Sequence, residues 1–288
     1  MKRATAIAAA ALLAQFATAQ AAEEWRFGLN AEAVHDDNAT RGLYEGKKSD
    51  NVAVIEGSAT RSWLLSPRSG LLLRGAARYS HFVDIDDISN LALVGRAAWR
   101  IQPSLGYSAP WYELAGQAQV LRHADSELRD GEIFTFEASA GSHVTDRVRL
   151  SAGFGVDERS GGGNAGVYDL STTRIFATAD LRVGVRNALY ARFTHQTGDH
   201  VFNVIPALGL GVWDVDPALA SVYGAPGNAY KVEATTQIYE VGFNYALKAN
   251  QGLDFSLTRI DSEPDEGPAA GASYSSTQVR VTYLYRFQ

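Results

Sequence analysis

The stretch His195-Gln196-Thr197-Gly198-Asp199-His200 brings imidazole, hydroxyl and carboxylate groups closer together than any other part of the chain. Hydrolysis by such groups requires a nucleophile activated by an adjacent base, with a third residue orienting that base. Thr197 stands where a serine would be wanted. The alternation of its segment puts His195 on the same face as Leu189, Ala191 and Phe193, which is apolar. The stretch is therefore expected to decorate a loop or rim and to catalyse nothing. Ser160-Gly161-Gly162-Gly163-Asn164 is glycine-rich, but it links one alternating segment to another and opens no helix, so it is no phosphate cradle. The chain has no cysteine, which removes disulfides and thiolate metal sites. Asp84-x-Asp86-Asp87 could hold a divalent cation bridging to lipopolysaccharide phosphates, but its spacing is not that of an EF-hand loop. Solvated loop carboxylates are the plainer reading. No metal and no cofactor is expected.

The more pervasive chemistry is that of guanidinium groups. Lysine is confined to Lys2, Lys47, Lys48, Lys231 and Lys248, and the other basic residues are arginines. Arg26, Arg74, Arg78, Arg96, Arg100, Arg149, Arg174, Arg182, Arg192, Arg280 and Arg286 fall on the polar face of alternating segments. Glu32, Glu56, Glu113, Glu137, Asp180, Glu240 and Asp254 share that face. Fixed positive charge around a lumen favours anions, and the guanidinium fork matches carboxylate and phosphate. The same arginines could instead pair with the acids and fill the interior with an ion-pair ladder, and composition does not choose between the two.

Alternation with a period of two marks strands whose faces meet different surroundings. It runs from Trp25 to the end, as in Leu91, Leu93, Gly95, Ala97, Trp99 and Ile101 against Arg96, Arg100 and Gln102. About twelve strands are expected, near 24–35, 51–64, 71–83, 91–102, 111–122, 132–144, 147–158, 171–183, 187–197, 231–247, 252–260 and 275–287. Backbone amides cannot go unpaired in hydrocarbon, so a sheet within a bilayer must close on itself, and an even strand number lets it close antiparallel. Tight links such as Ser66–Gly70 alternate with long polar ones, which predicts a transmembrane antiparallel up-and-down β-barrel with short periplasmic turns and long extracellular loops. Trp25, Trp63, Trp99, Trp111, Tyr285 and Phe287 are expected to form aromatic girdles. The connection 198–230 is long and apolar, so it should either fold into the lumen or extend its two strands as a hairpin above the membrane. Lys2-Arg3, an apolar run to Phe16 and Ala17-Thr18-Ala19-Gln20-Ala21 read as a signal peptide over 1–21, leaving 22–288 for the barrel. A formal net charge of -6 offers no footprint for nucleic acid.

The ending Val279-x-Val281-x-Tyr283-x-Tyr285-x-Phe287 resembles the C-terminal assembly signal of Gram-negative outer-membrane barrels, except that Gln288 follows the phenylalanine. The resemblance implies a porin-like outer-membrane protein inserted by the barrel-assembly machinery, with Tyr283, Tyr285 and Phe287 as its signal. His35-Asp36-Asp37-Asn38-x-x-Arg41-Gly42 resembles the first loop of several proteobacterial barrels, including the barrel half of surface-lipoprotein assembly modifiers. The helical-repeat half of those modifiers is absent. His195-Gln196-Thr197 is similar to the His-x-Ser stretch of outer-membrane phospholipases, with threonine for serine.

These readings favour a monomeric or trimeric passive channel among outer-membrane lipid and lipopolysaccharide, passing small anionic solutes without catalysis. Selectivity is assigned to Arg74, Arg78, Arg96, Arg100, Arg149, Arg174 and Arg280, with Glu113 and Glu240 beside them. The alternatives are a closed structural or assembly barrel supporting export of surface polysaccharide or protein, and an outer-membrane lipid hydrolase working through His195.

Overall fold

The computed structural model describes residues 24–43, 47–162, 166–204, 212–220, 227–265 and 273–287. The proposed signal peptide, its cleavage site and Gln288 lie outside them. Thirteen strands form one antiparallel sheet: β1 (Arg26–Asp36), β2 (Asp50–Ser66), β3 (Ser69–Phe82), β4 (Asn90–Ile101), β5 (Trp111–His123), β6 (Gly131–His143), β7 (Val148–Gly161), β8 (Leu170–Arg182), β9 (Asn187–Val204), β10 (Val212–Asp216), β11 (Gly227–Lys248), β12 (Gln251–Pro264) and β13 (Tyr274–Arg286). Twelve of them close the ring. β13 pairs with β1, and β9 skips β10 to pair with β11 along Asn187–Val204. All twelve expected strands are present, several longer than alternation alone indicates; β10 is a short addition on the free edge of β11.

Large apolar side chains stand on the outside. Ile55, Leu93, Phe134, Ile175 and Val241 are each more than half exposed, at 58, 54, 55, 55 and 53 %. So continuous an oily surface would not persist in water, whereas lipid tails satisfy it. The chain is a transmembrane β-barrel of the outer-membrane type, with its first described strand starting and its last ending on the short-turn side.

Inside, glycines make room for large neighbours. A methyl group at Gly153 would collide with the Phe176 ring, at Gly242 with Tyr190, and at Gly141 with Trp111. Trp111 thus corrects the expected girdle. Its parity in β5 turns it inward, where Arg100 lies 4.4 Å from its ring centroid. Trp99 and Trp25 remain exposed on the exterior.

The long-loop end is closed over by its own chain. β8 and β9 pair up to Thr172 and Gly198, and there β9 leaves its neighbour. Gly198 has φ +126°, a conformation side chains rarely adopt, and a Cβ there would strike the Ser171 carbonyl. Beyond this hinge β9, β11 and β10 form a hairpin that lies across the mouth, as its contacts with loops around the rim show. Asn203 exchanges backbone hydrogen bonds with Arg41 and Leu43 at 3.1 Å, Leu219 packs on Ile85 and Ile88, and Val201 packs on Leu128 and Val167. The 198–230 connection therefore takes the hairpin course, bent inward as a lid. Its apolar stretches Val201–Val204 and Val212–Trp213 find partners in that lid, while 205–211 and 221–226 lie outside the described residues.

Candidate functional site: a chamber beneath the lid

Deep in the barrel most of the inward arginines are matched with acids, while Arg26, Arg182 and Arg286, toward the short-turn end, have no carboxylate within ion-pair distance among the described residues. Arg100 lies directly opposite Glu113 across β4 and β5, and its Nη2 donates to Glu113 Oε2 at 2.5 Å. Arg96 reaches the other oxygen of Glu113 at 3.2 Å and Glu137 at 3.7 Å. Arg174 bridges Glu137, at 3.3 Å, and Asp157. Arg149 pairs with Asp180 at 2.6 Å. Further round the ring, through β3, β2, β1 and β13, Arg74 meets Glu56, and Arg78 and Arg280 both approach Glu32, at 3.2 and 4.0 Å. Arg192 and Glu240 are only loosely paired at 3.9 Å, and Glu240 shares the Tyr190 hydroxyl with Asp254, at 3.4 and 3.2 Å. Such mutual pairing is what permits charge in a confined interior, where an unmatched ion carries a large desolvation cost. All nine expected selectivity residues face inward, but every one of them is engaged in an ion pair.

Above this ladder and below the lid lies a cavity of about 590 Å³. Its polar wall carries Arg41, Arg129, Arg159, Asp199, Gln117, Gln119, Gln196 and His200, with Arg96, Asp157 and Arg174 at its border with the ladder. Ile133 and Leu170 flank Arg159 within that wall, and Ile238 and Ile260, paired across β11 and β12, supply an apolar wall. The arginines here come from loops and strand ends. The His35–Gly42 motif proves to be a staple. Asp36 accepts from Asn38 N–H and from the side chains of Ser276 and Gln278, and Asp37 accepts from Thr277 N–H. The fully buried Asn38 side chain donates to the Gly42 and Ser275 carbonyls and accepts from Gly42 N–H. This network holds Arg41 at φ +53°.

Arg129 and Arg159 flank the buried Tyr168 ring, at 5.4 and 4.9 Å from its centroid. Arg129 donates to Asp216 of the lid at 2.7 Å, and the Tyr168 hydroxyl donates to the same carboxylate at 3.1 Å. Burial and the nearby Asp216 raise the Tyr168 pKa, so its hydroxyl stays protonated as a donor. Arg159 spends one Nη on the Arg129 carbonyl at 2.6 Å, while its buried Nε has no partner. Among the described residues neither Arg159 nor Arg41 has a carboxylate within ion-pair distance. His200 Nε2 is likewise buried without a partner, and burial beside Arg41 holds this imidazole neutral, with a pKa pushed down to about 3.

His195 and His200 point to opposite faces of β9, so the two imidazoles do not form one site. The Thr197 hydroxyl lies 3.0 Å from that of Thr173. Among the described residues no three histidine or carboxylate side chains gather as metal ligands. Asp86 and Asp87 open a 3₁₀ turn, and the backbone N–H groups of Val83, Asp84 and Ile85 are collected by Asp50 at 3.0–3.2 Å.

The sequence matches no family model and no curated protein. Solved structures show the fold. An outer-membrane channel from Pseudomonas putida F1 is similar at TM-score 0.58 and 11% identity, over 93% of this chain and 98% of that one. The CymD monoaromatic hydrocarbon channel is similar at TM-score 0.51 and 10% identity, over 99% and 95%. LpxR from Salmonella typhimurium is similar more loosely, at TM-score 0.42 and 13% identity, over 88% and 99%.

Proposed function

We propose that this barrel is a passive, porin-like channel of the Gram-negative outer membrane, that it favours anionic small solutes, and that it catalyses no reaction. The reading places it among outer-membrane lipid and lipopolysaccharide, inserted by the barrel-assembly machinery through Tyr283, Tyr285 and Phe287. The observation that carries it is the chamber, a solute-sized space lined by Arg41, Arg96, Arg129, Arg159 and Arg174 against the carboxylates of Asp157 and Asp199 alone, with Arg41 and Arg159 beyond ion-pair distance of any acid among the described residues. Uncompensated guanidinium charge at the entry lowers the barrier for anions and raises it for cations. The ladder below is close to neutral in its pairing, so selectivity is assigned to Arg41 and Arg159 ahead of the nine residues picked out by alternation. Two similar solved barrels are named as channels, and this supports the reading through shared architecture alone.

The test is purified full-length protein in a planar bilayer with a salt gradient. Conductance is expected, with a reversal potential of the sign for anion preference. A silent membrane in the presence of correctly folded barrel would reject the channel. That outcome would favour the second reading, a closed structural or assembly barrel. The lid packed across the mouth and the ion pairs crossing the interior speak for it.

A further inference from the structure

The chamber beneath the lid has two unlike walls, and behind the polar one, which carries Asp157 and Asp199, the chain binds a carboxylate of its own. Asp216, fully buried, is gripped by Arg129 Nε at 2.7 Å and by the Tyr168 hydroxyl at 3.1 Å. The chain thus displays the chemistry this wall accepts, using its own side chain. Next to that carboxylate, Arg159 stacks on the other side of Tyr168 and retains a buried Nε with no acceptor. Buried donors are almost always satisfied in folded proteins, so an orphaned guanidinium N–H beside an open volume marks the place of an absent acceptor. His200 Nε2, Arg96 Nε and Asn203 Oδ1 are further orphans among the residues lining the same cavity. Ile133 and Leu170 flank Arg159 in register, and Ile238 and Ile260 line the cavity from β11 and β12; these aliphatic side chains would reject a fully hydroxylated solute and gain from an apolar one. The volume of about 590 Å³ lies within the ordinary range of small-ligand pockets.

We infer that the chamber is a binding site for small monocarboxylates with an apolar or aromatic body, the carboxylate held by Arg159 with Arg41 nearby and the body laid against the isoleucines. The inference rests on the channel reading for the solute's route, and it adds the solute's class. A neutral analogue leaves Arg159 without its acceptor, and a cationic one meets uncompensated positive charge. A charged but bodiless anion forgoes the apolar wall.

The experiment is titration calorimetry on detergent-solubilised full-length protein, with sodium benzoate, benzyl alcohol, benzylamine and sodium acetate as probes. Benzoate is expected to bind at least tenfold more tightly than any of the other three. Arg159→Gln should weaken benzoate at least tenfold, and Arg159→Lys, which keeps the charge and loses the fork, should fall between. Ile238→Asn should weaken benzoate while leaving acetate unchanged, which separates the two walls without touching an arginine. Heat-modified gel migration verifies that each variant is folded. Benzyl alcohol binding as well as benzoate, or Arg159→Gln binding benzoate like the wild type, would overturn the site. An anion-selective channel that ignores benzoate would overturn the site and leave the channel standing. Benzoate bound by an electrically silent barrel would uphold the site and remove the channel.

Discussion

The lower interior and the chamber use the same residue for opposite ends. Below, Arg96, Arg100, Arg149 and Arg174 sit on facing strands whose register sets a carboxylate within reach, and they lock neighbouring strands together. Above, Arg41 and Arg159 are set by a loop staple and a strand end, and among the described residues no carboxylate lies within ion-pair distance of either. An arginine lining a barrel is thus no indicator of selectivity until its partner is known.

The sharpest way to break this contrast is to remove an arginine from each region. Arg174→Ala leaves Asp157 without its arginine and Glu137 with Arg96 alone, at 3.7 Å, and losing one partner of a buried pair costs about 3–5 kcal/mol. Its barrel should lose heat resistance on gels, whereas Arg159→Ala should unfold at wild-type temperature or above. Equal losses in the two variants would erase the distinction.

Packing offers a second separation. A side chain at Gly242 would run into Tyr190, and overpacking of this kind costs about 1–3 kcal/mol, so Gly242→Val should be visibly destabilised. A Cβ at Gly75 would meet no atom within 4 Å, and Gly75→Ala should change stability by no more than about 0.5 kcal/mol.

The lid has its own signature. Gly198→Ala forces a side chain into a left-handed conformation against Ser171, costing about 1–3 kcal/mol, and should free the hairpin to proteolysis while the twelve-stranded ring stays resistant.

The smallest effect is expected from acid. His200 stays neutral down to about pH 3 when the lid is seated, but takes up a proton near pH 6.5 once the lid opens to water. The open state then binds more protons, so lid stability falls as pH drops from about 6.5 toward 3. Protection factors of the 199–204 amides, which remove the intrinsic pH dependence of exchange, should fall over that window and not above it, and His200→Gln should flatten the response.

Much of this is legible in the sequence, and the rest hides for identifiable reasons. Alternation depends only on which face of a strand meets lipid, so twelve strands and the inward arginines can be read residue by residue. Parity in the fifth strand also turns Trp111 inward, but its place near a strand end invites the girdle reading. Arg159 reads as a loop residue because alternation fades after Glu158, and strand ends are the least certain part of any such reading. Two residues more of β7 would put it on the face of Arg149 and Asp157. Arg41 stands inside a recognisable motif, yet its direction depends on a positive φ and on hydrogen bonds to β13 and β9 from far along the chain. The hairpin of the lid can be foreseen from its length and apolar content, but its inward bend turns on one glycine whose φ no spacing reveals.

The measurement that bears most directly on the division between ladder and chamber is the anion-to-cation permeability ratio in planar bilayers. Wild type should pass anions preferentially, and Arg41→Gln with Arg159→Gln should bring the ratio close to one while thermal stability is kept. A ratio unmoved by that pair would place selectivity elsewhere and contradict the role assigned to the chamber.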